Sequence, residues 1–186
     1  MNKLLILIAL SLNISYADTT DNLLSQDFTN GWTGTNQSSR HGTSTIAGVD
    51  GGNVESTVSL SDTLNASQIN GGWTSTLGAD MWGWNQYDQE IKMTQTITDA
   101  NGTVTTQIRD VAIPGCSGYN CGSYSTYTDS YTQGINSQSD YDITVRFSFD
   151  ESSNSSGHQA TDLRNPTLTI EHSLLDTSQV TELKTM

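Results

Sequence analysis

The apolar side chains of this chain recur at period two in short runs broken by clusters of Gly, Asn and Asp. Tyr141, Ile143, Val145, Phe147 and Phe149 fall on one face of a strand over residues 141–149. The alternating segments 89–97 and 103–111 flank Asp99-Ala100-Asn101-Gly102, and an Asn-Gly turn in that setting predicts a β-hairpin. Ile91, Met93 and Ile97 are expected to face inward from its first strand, and Val104 and Ile108 from its second. Further strands are predicted over 22–28, over 54–60 with Val54, Val58 and Leu60 on one face, and over 166–172 with Leu168 and Ile170 inward. The Tyr-rich stretch 124–131 is another candidate, whereas 34–41 and 150–157 read as polar loops. Ser, Thr, Asn and Gly dominate and are poor interior helix residues. The expected class is therefore all-β, an antiparallel β-sandwich. The last dozen residues read as a short helix or a frayed tail.

The N-terminus follows a different pattern. Met1-Asn2-Lys3 precedes an apolar run from Leu4 to Leu12, and Ser15-Tyr16-Ala17 places small residues where a signal peptidase reads them. Residues 1–17 are expected to be a signal peptide, with 18–186 a single β-sandwich domain in the periplasm or outside the cell. The apolar run is too short to cross a bilayer of about 30 Å comfortably.

The formal net charge is −13. Residues 1–17 hold one cation, Lys3, and no acid, so their removal leaves −14. So acidic a surface repels nucleic acid and anionic lipid, which excludes both as direct partners and leaves room for divalent cations. Cys116 and Cys121 are the only cysteines and lie in a Gly-rich stretch. In an oxidising compartment they read as a disulfide across a tight loop, a constraint of about 2 kcal/mol. A metal site would need further soft ligands nearby, and a redox pair usually has two intervening residues rather than four.

Asn22-Leu23-Leu24-Ser25-Gln26-Asp27-Phe28, followed by Gly31-Trp32, resembles the opening of jelly-roll carbohydrate-binding modules and other galactose-binding-like domains. Residues 160–170 resemble their final strand, where an Asp precedes an apolar run. The resemblance implies a jelly-roll sandwich whose first and last strands lie side by side, with acidic residues there often holding a structural calcium ion. Thr29 stands where that family has Glu, and Ser25-Gln26 where it has Asn-Gly. Asp27 and Asp162 are the side-chain calcium ligands the resemblance leaves.

Met81-Trp82-Gly83-Trp84-Asn85-Gln86-Tyr87-Asp88 is the most unusual segment, preceded by Gly71-Gly72-Trp73. Aromatic faces stack on the apolar C–H surfaces of sugar rings while neighbouring amides and carboxylates bond the hydroxyls. Trp73, Trp82, Trp84, Tyr87 and Asp88 are thus candidate ligand-binding residues. In a chain this short of aliphatics, the same tryptophans also serve as core. Tyr119, Tyr124, Tyr127 and Tyr131 offer a second contact surface or cross-strand packing.

Nothing in the sequence points to catalysis. Asp88 and Glu90, and likewise Asp140 and Asp142, share a strand face as paired glycosidase acids would, yet no motif surrounds them. His41, His158 and His172 lack metal-ligand spacing. Two functions from different classes remain. One is a secreted non-catalytic binding module for carbohydrate or a cell-surface polymer. The other is a structural sandwich subunit of a surface or virion-associated assembly, acting through protein contacts.

Overall fold

The computed structural model describes residues 17–39, 43–83, 88–115, 122–151 and 159–173. They form β1 (Ala17–Thr19), β2 (Thr33–Ser39), β3 (Thr45–Ser59), a 3-10 turn (Leu60–Asp62), α1 (Ala66–Asn70), β4 (Trp73–Gly83), β5 (Gln89–Asp99), β6 (Val104–Ile113), β7 (Ser125–Gln133), β8 (Tyr141–Glu151) and β9 (Gln159–Ser173).

Strand β3 belongs to two sheets. Its residues 53–59 pair with β8, and its residues 45–49 pair with β9. Between them lie Gly51, at φ +73, and Gly52. A left-handed backbone there suits glycine and lets the strand turn from one layer to the other. One layer has the order β6-β5-β8-β3 and the other β3-β9-β4-β7, and every paired neighbour is antiparallel. Only the β5–β6 hairpin connects neighbours within a layer beyond β3; each later connection crosses from one layer to the other. The result is a jelly-roll β-sandwich. β2 follows β3 across both layers, and β1 adds to β9.

The core lies between the layers. Tyr141, Ile143, Val145, Phe147 and Phe149 of β8 are all buried there, as are Ile91, Met93, Ile97, Leu168 and Ile170. Phe28, Trp32 and Phe147 stack in sequence, with centroid separations of 5.0 and 6.1 Å. Gly48 leaves the space that the Phe149 ring fills, since a Cβ on Gly48 would overlap that ring.

Several expectations need correction. Val104 and Ile108 are 57% and 52% exposed. They lie opposite Thr98 and Thr94, on the outward side of the pleat, and the buried apolar residues of β6 are Val111 and Ile113 at its other end, opposite Ile91 and Gln89. Residues 34–39 of the loop predicted over 34–41 belong to strand β2, which forms by pairing with β3 rather than by any apolar pattern of its own, and residues 40 and 41 lie outside the described residues. Residues 22–28 are not a strand. Leu24 and Phe28 are buried, but the segment is held to β9 by side chains. The Asn22 amide donates to the carbonyls of Leu24 and Pro166 and accepts from the backbone N–H groups of Leu24 and Leu168. Gln26 donates to the Pro166 carbonyl as well.

Candidate binding face

Along β4, residues alternate between the core and the outer face of the β3-β9-β4-β7 layer. Trp73, Ser75, Leu77, Ala79 and Met81 are buried, while Thr74, Thr76, Asp80 and Trp82 point outward and are half-buried. Trp73 and Trp82 are nine positions apart and so fall on opposite faces. Trp73 is 3% exposed and packs against Tyr131 and Tyr141. It is a core residue, which removes it from the candidate ligand platform.

The outward side chains form a row of hydroxyls ending in a charged and aromatic cluster. Thr74 bonds Thr132 at 3.0 Å and Thr76 bonds Ser130 at 3.0 Å, so the hydroxyls of β4 and β7 are tied in cross-strand pairs. At the next rungs Thr126 donates to Asp80 at 2.6 Å, and Asn165 donates to the other Asp80 oxygen at 2.8 Å. Arg164 sits 3.6 Å from that same oxygen. Its guanidinium then crosses β4 and lies 3.6 Å from the centroid of the Tyr124 ring. Tyr124 also meets Trp82, with ring centroids 5.9 Å apart and planes inclined by 35°.

Asp162 pairs with Trp82 across the β4–β9 ladder and with Ala47 on the other side, so it lies beneath this cluster at 1% exposure. The electrostatics match the geometry. The Thr126 hydroxyl, then Asn165 and Arg164, hold the Asp80 carboxyl below the usual carboxylate range. Burial first, and the Asp162 charge second, push the Tyr124 phenol above its ordinary value. The cluster thus offers two half-buried aromatic rings, a guanidinium and a carboxylate on one face, already oriented by one another.

This arrangement unites Trp82 with residues that the sequence did not single out as a group. Tyr124 was visible only as part of a Tyr-rich stretch, and Asp80, Arg164 and Asn165 carried no signal, because strand register alone brings them together. Trp84, Tyr87, Cys116 and Cys121 lie outside the described residues. Asp88 is exposed at the start of β5 and accepts a hydrogen bond from the Gly115 N–H. The other candidate acids are engaged or dispersed: Asp140 accepts from Ser59, Ser61 and the Tyr141 N–H, while Asp142 is exposed on β8.

The two candidate calcium ligands occupy different settings. One Asp27 oxygen accepts from the Thr29 N–H and hydroxyl, and these bonds lower its pKa. The neighbouring contacts of Gln26 and Phe28 lie at Pro166 and Thr43. Pro166 is four residues along β9 from Asp162, roughly 13 Å on a strand. Among the described residues, no three His, Cys, Asp or Glu side chains converge on a point. Calcium needs six to eight oxygens at 2.3–2.6 Å, so an ion held by Asp27 and Asp162 would have to draw the rest of its shell from backbone carbonyls and water.

No family model and no curated protein matches the chain. Among solved structures, the CBM22-1–GH10 modules of Clostridium thermocellum endo-1,4-β-D-xylanase 10B, complexed with xylohexaose, are similar over 82% of this chain and 27% of that one, with 10% identity and a TM-score of 0.47. TmCBM61, in complex with β-1,4-galactotriose, matches 80% of this chain and 97% of its own, at 9% identity and TM-score 0.43. A structure of infectious bursal disease virus, Gx strain, matches 87% and 33%, at 11% identity and TM-score 0.45. The chain spans about a third or less of the xylanase and virus chains. At these identities and scores the likeness carries no functional argument.

Proposed function

We propose that this protein is an exported, non-catalytic binding module for a glycan, and that its binding face is the outer surface of β4, β7 and β9 around Trp82 and Tyr124. The observation that carries this reading is the joint presentation of two half-buried aromatic rings with Arg164, Asp80 and Asn165 on one face. Aromatic rings of this kind supply large contact area at little entropic cost. The surrounding carboxylate, amide and guanidinium make directional bonds to hydroxyls, and charged partners strengthen them. The Thr and Ser hydroxyls beyond the cluster extend the face along the strand direction, which suits the interior of an extended polymer. Export follows from the basic, apolar and small-residue pattern of residues 1–17.

The test is affinity electrophoresis of the exported domain through a panel of soluble polysaccharides. Retardation by at least one polymer, lost in Trp82→Ala and Tyr124→Ala, is expected. A folded protein retarded by none of them refutes the reading.

The structural-subunit alternative draws on a separate observation. β6 ends its layer among the described residues, and Val104 and Ile108 are exposed on it. An edge with exposed apolar residues is a pairing surface for another chain. Sedimentation that shows a concentration-dependent oligomer, abolished by Ile108→Lys, would favour that reading.

A further inference from the structure

A recess lies at one end of the sandwich, where the β5–β6 hairpin faces the segment between β7 and β8. Its volume is about 330 Å³. Ile97 and Tyr141 supply an apolar floor, and Asp99, Thr105, Ser137 and Gln138 contribute polar walls. These walls are rigid for identifiable reasons. One Asp99 oxygen accepts from the N–H groups of Asn101 and Thr103 and closes the hairpin turn with Gly102 at φ +81. Asn136 bonds the Ile69 carbonyl and the Gln138 N–H, which pins the opposite wall to α1. The side chain of Gln138 receives the Asn101 amide at 3.2 Å, joining the two walls.

We propose that this recess is a binding site for one neutral sugar ring, such as the end of a glycan chain, separate from the face around Trp82. The volume falls at the lower end of the range for small-molecule sites. An apolar floor beneath amide, hydroxyl and carboxylate walls matches a pyranose, which has an apolar C–H face and a rim of hydroxyls. Among the described residues, Asp99 is the one acidic side chain lining the recess, so its charge disfavours uronic acids and other anionic rings. A recess of this size, open on one side, admits a terminus or single unit, in contrast to the extended outer face.

The experiment is an NMR titration of the full-length exported domain with methyl glycosides of neutral hexoses and pentoses, alongside the matching uronic acids. Expected are shifts confined to amides of residues 97–105 and 133–141, caused by at least one neutral glycoside and not by its uronic acid. Gln138→Ala is expected to weaken the affinity about ten-fold, as for one lost hydrogen bond. Ser137→Trp, which fills the recess, is expected to abolish the shifts, while Trp82→Ala leaves them unchanged. Absence of shifts with every neutral glycoside, or shifts that survive Ser137→Trp, overturns the proposal. Because Trp82→Ala is read separately, failure here does not depend on the fate of the outer face.

Discussion

Arg164 and Tyr124 meet although β4 runs between the strand that carries one and the segment that carries the other: the guanidinium of Arg164 lies 3.6 Å from the centroid of the Tyr124 ring. That span is set by register. Asp80 of β4 pairs with Arg164 on one side and with Thr126 on the other, so one rung of the ladder brings a carboxylate, a guanidinium and a hydroxyl into line. A bulge between Gly78 and Asp80 shifts β4 against β9 at this position, and bulges commonly re-aim side chains in this way.

Arg164→Ala is expected to affect binding far more than folding. Its contacts with Asp80 and Tyr124 are partly exposed, and such pairs contribute about 1 kcal/mol or less. The check is to measure urea unfolding and polysaccharide affinity on the same variant. A small change in the midpoint with a large loss of affinity is the expected outcome.

Asn22→Ala is expected to destabilise the fold by about 2–3 kcal/mol, since it removes four hydrogen bonds and strands backbone groups in a partly buried seam. Asp27→Ala, which removes an exposed turn contact, should cost much less. Chemical denaturation of both variants at neutral pH makes the comparison.

Gly48→Ala is expected to lower stability because the added methyl overlaps the inner part of the Phe149 ring rather than a free end. Overpacking of this kind costs about 1–3 kcal/mol. A double-mutant cycle with Phe149→Leu should recover part of that loss, and strict additivity would contradict the contact.

The pH dependence has a definite sign. Asp80 and Asp27 are both lowered from 3.8 in the folded protein. Their contribution to stability is therefore present above about pH 4 and is lost as the pH falls through the folded values. Urea midpoints should drop on acidification below that point. Asp80→Asn should flatten the drop, measured against wild type at matched pH.

Much of the sandwich was legible because burial imposes period two on its central strands. β8 shows five inward apolar residues in sequence, and the β5–β6 hairpin announces itself at Asn101-Gly102. β2 was not legible, since Thr33–Ser39 carries no apolar alternation and becomes a strand only by pairing with β3. The segment 22–28 has strand-like apolar spacing at Leu24 and Phe28, but the Asn22 amide takes over the bonds that a strand would make. α1 did carry a signal: Asn65 and Gln68 form a reciprocal capping box at its start. At the candidate face, Trp82 was recognisable by composition, whereas Asp80, Tyr124 and Arg164 converge through register between residues up to 84 positions apart, which no local pattern encodes.

A chelator experiment separates the outer face from any bound ion. The polysaccharide affinity of the outer face is expected to be unchanged by EDTA. A fall in melting temperature that calcium restores, and that Asp27→Ala and Asp162→Asn abolish, would instead establish an ion at the seam between the N-terminal segment and β9.

The most direct test of the central claim is polysaccharide binding by the wild-type protein beside Tyr124→Ala, with folding of both verified by circular dichroism. Wild type is expected to bind at least one neutral polysaccharide, and the variant, still folded, to lose most of that affinity. Equal binding by the two proteins, or none by a folded wild type across the panel, would contradict it.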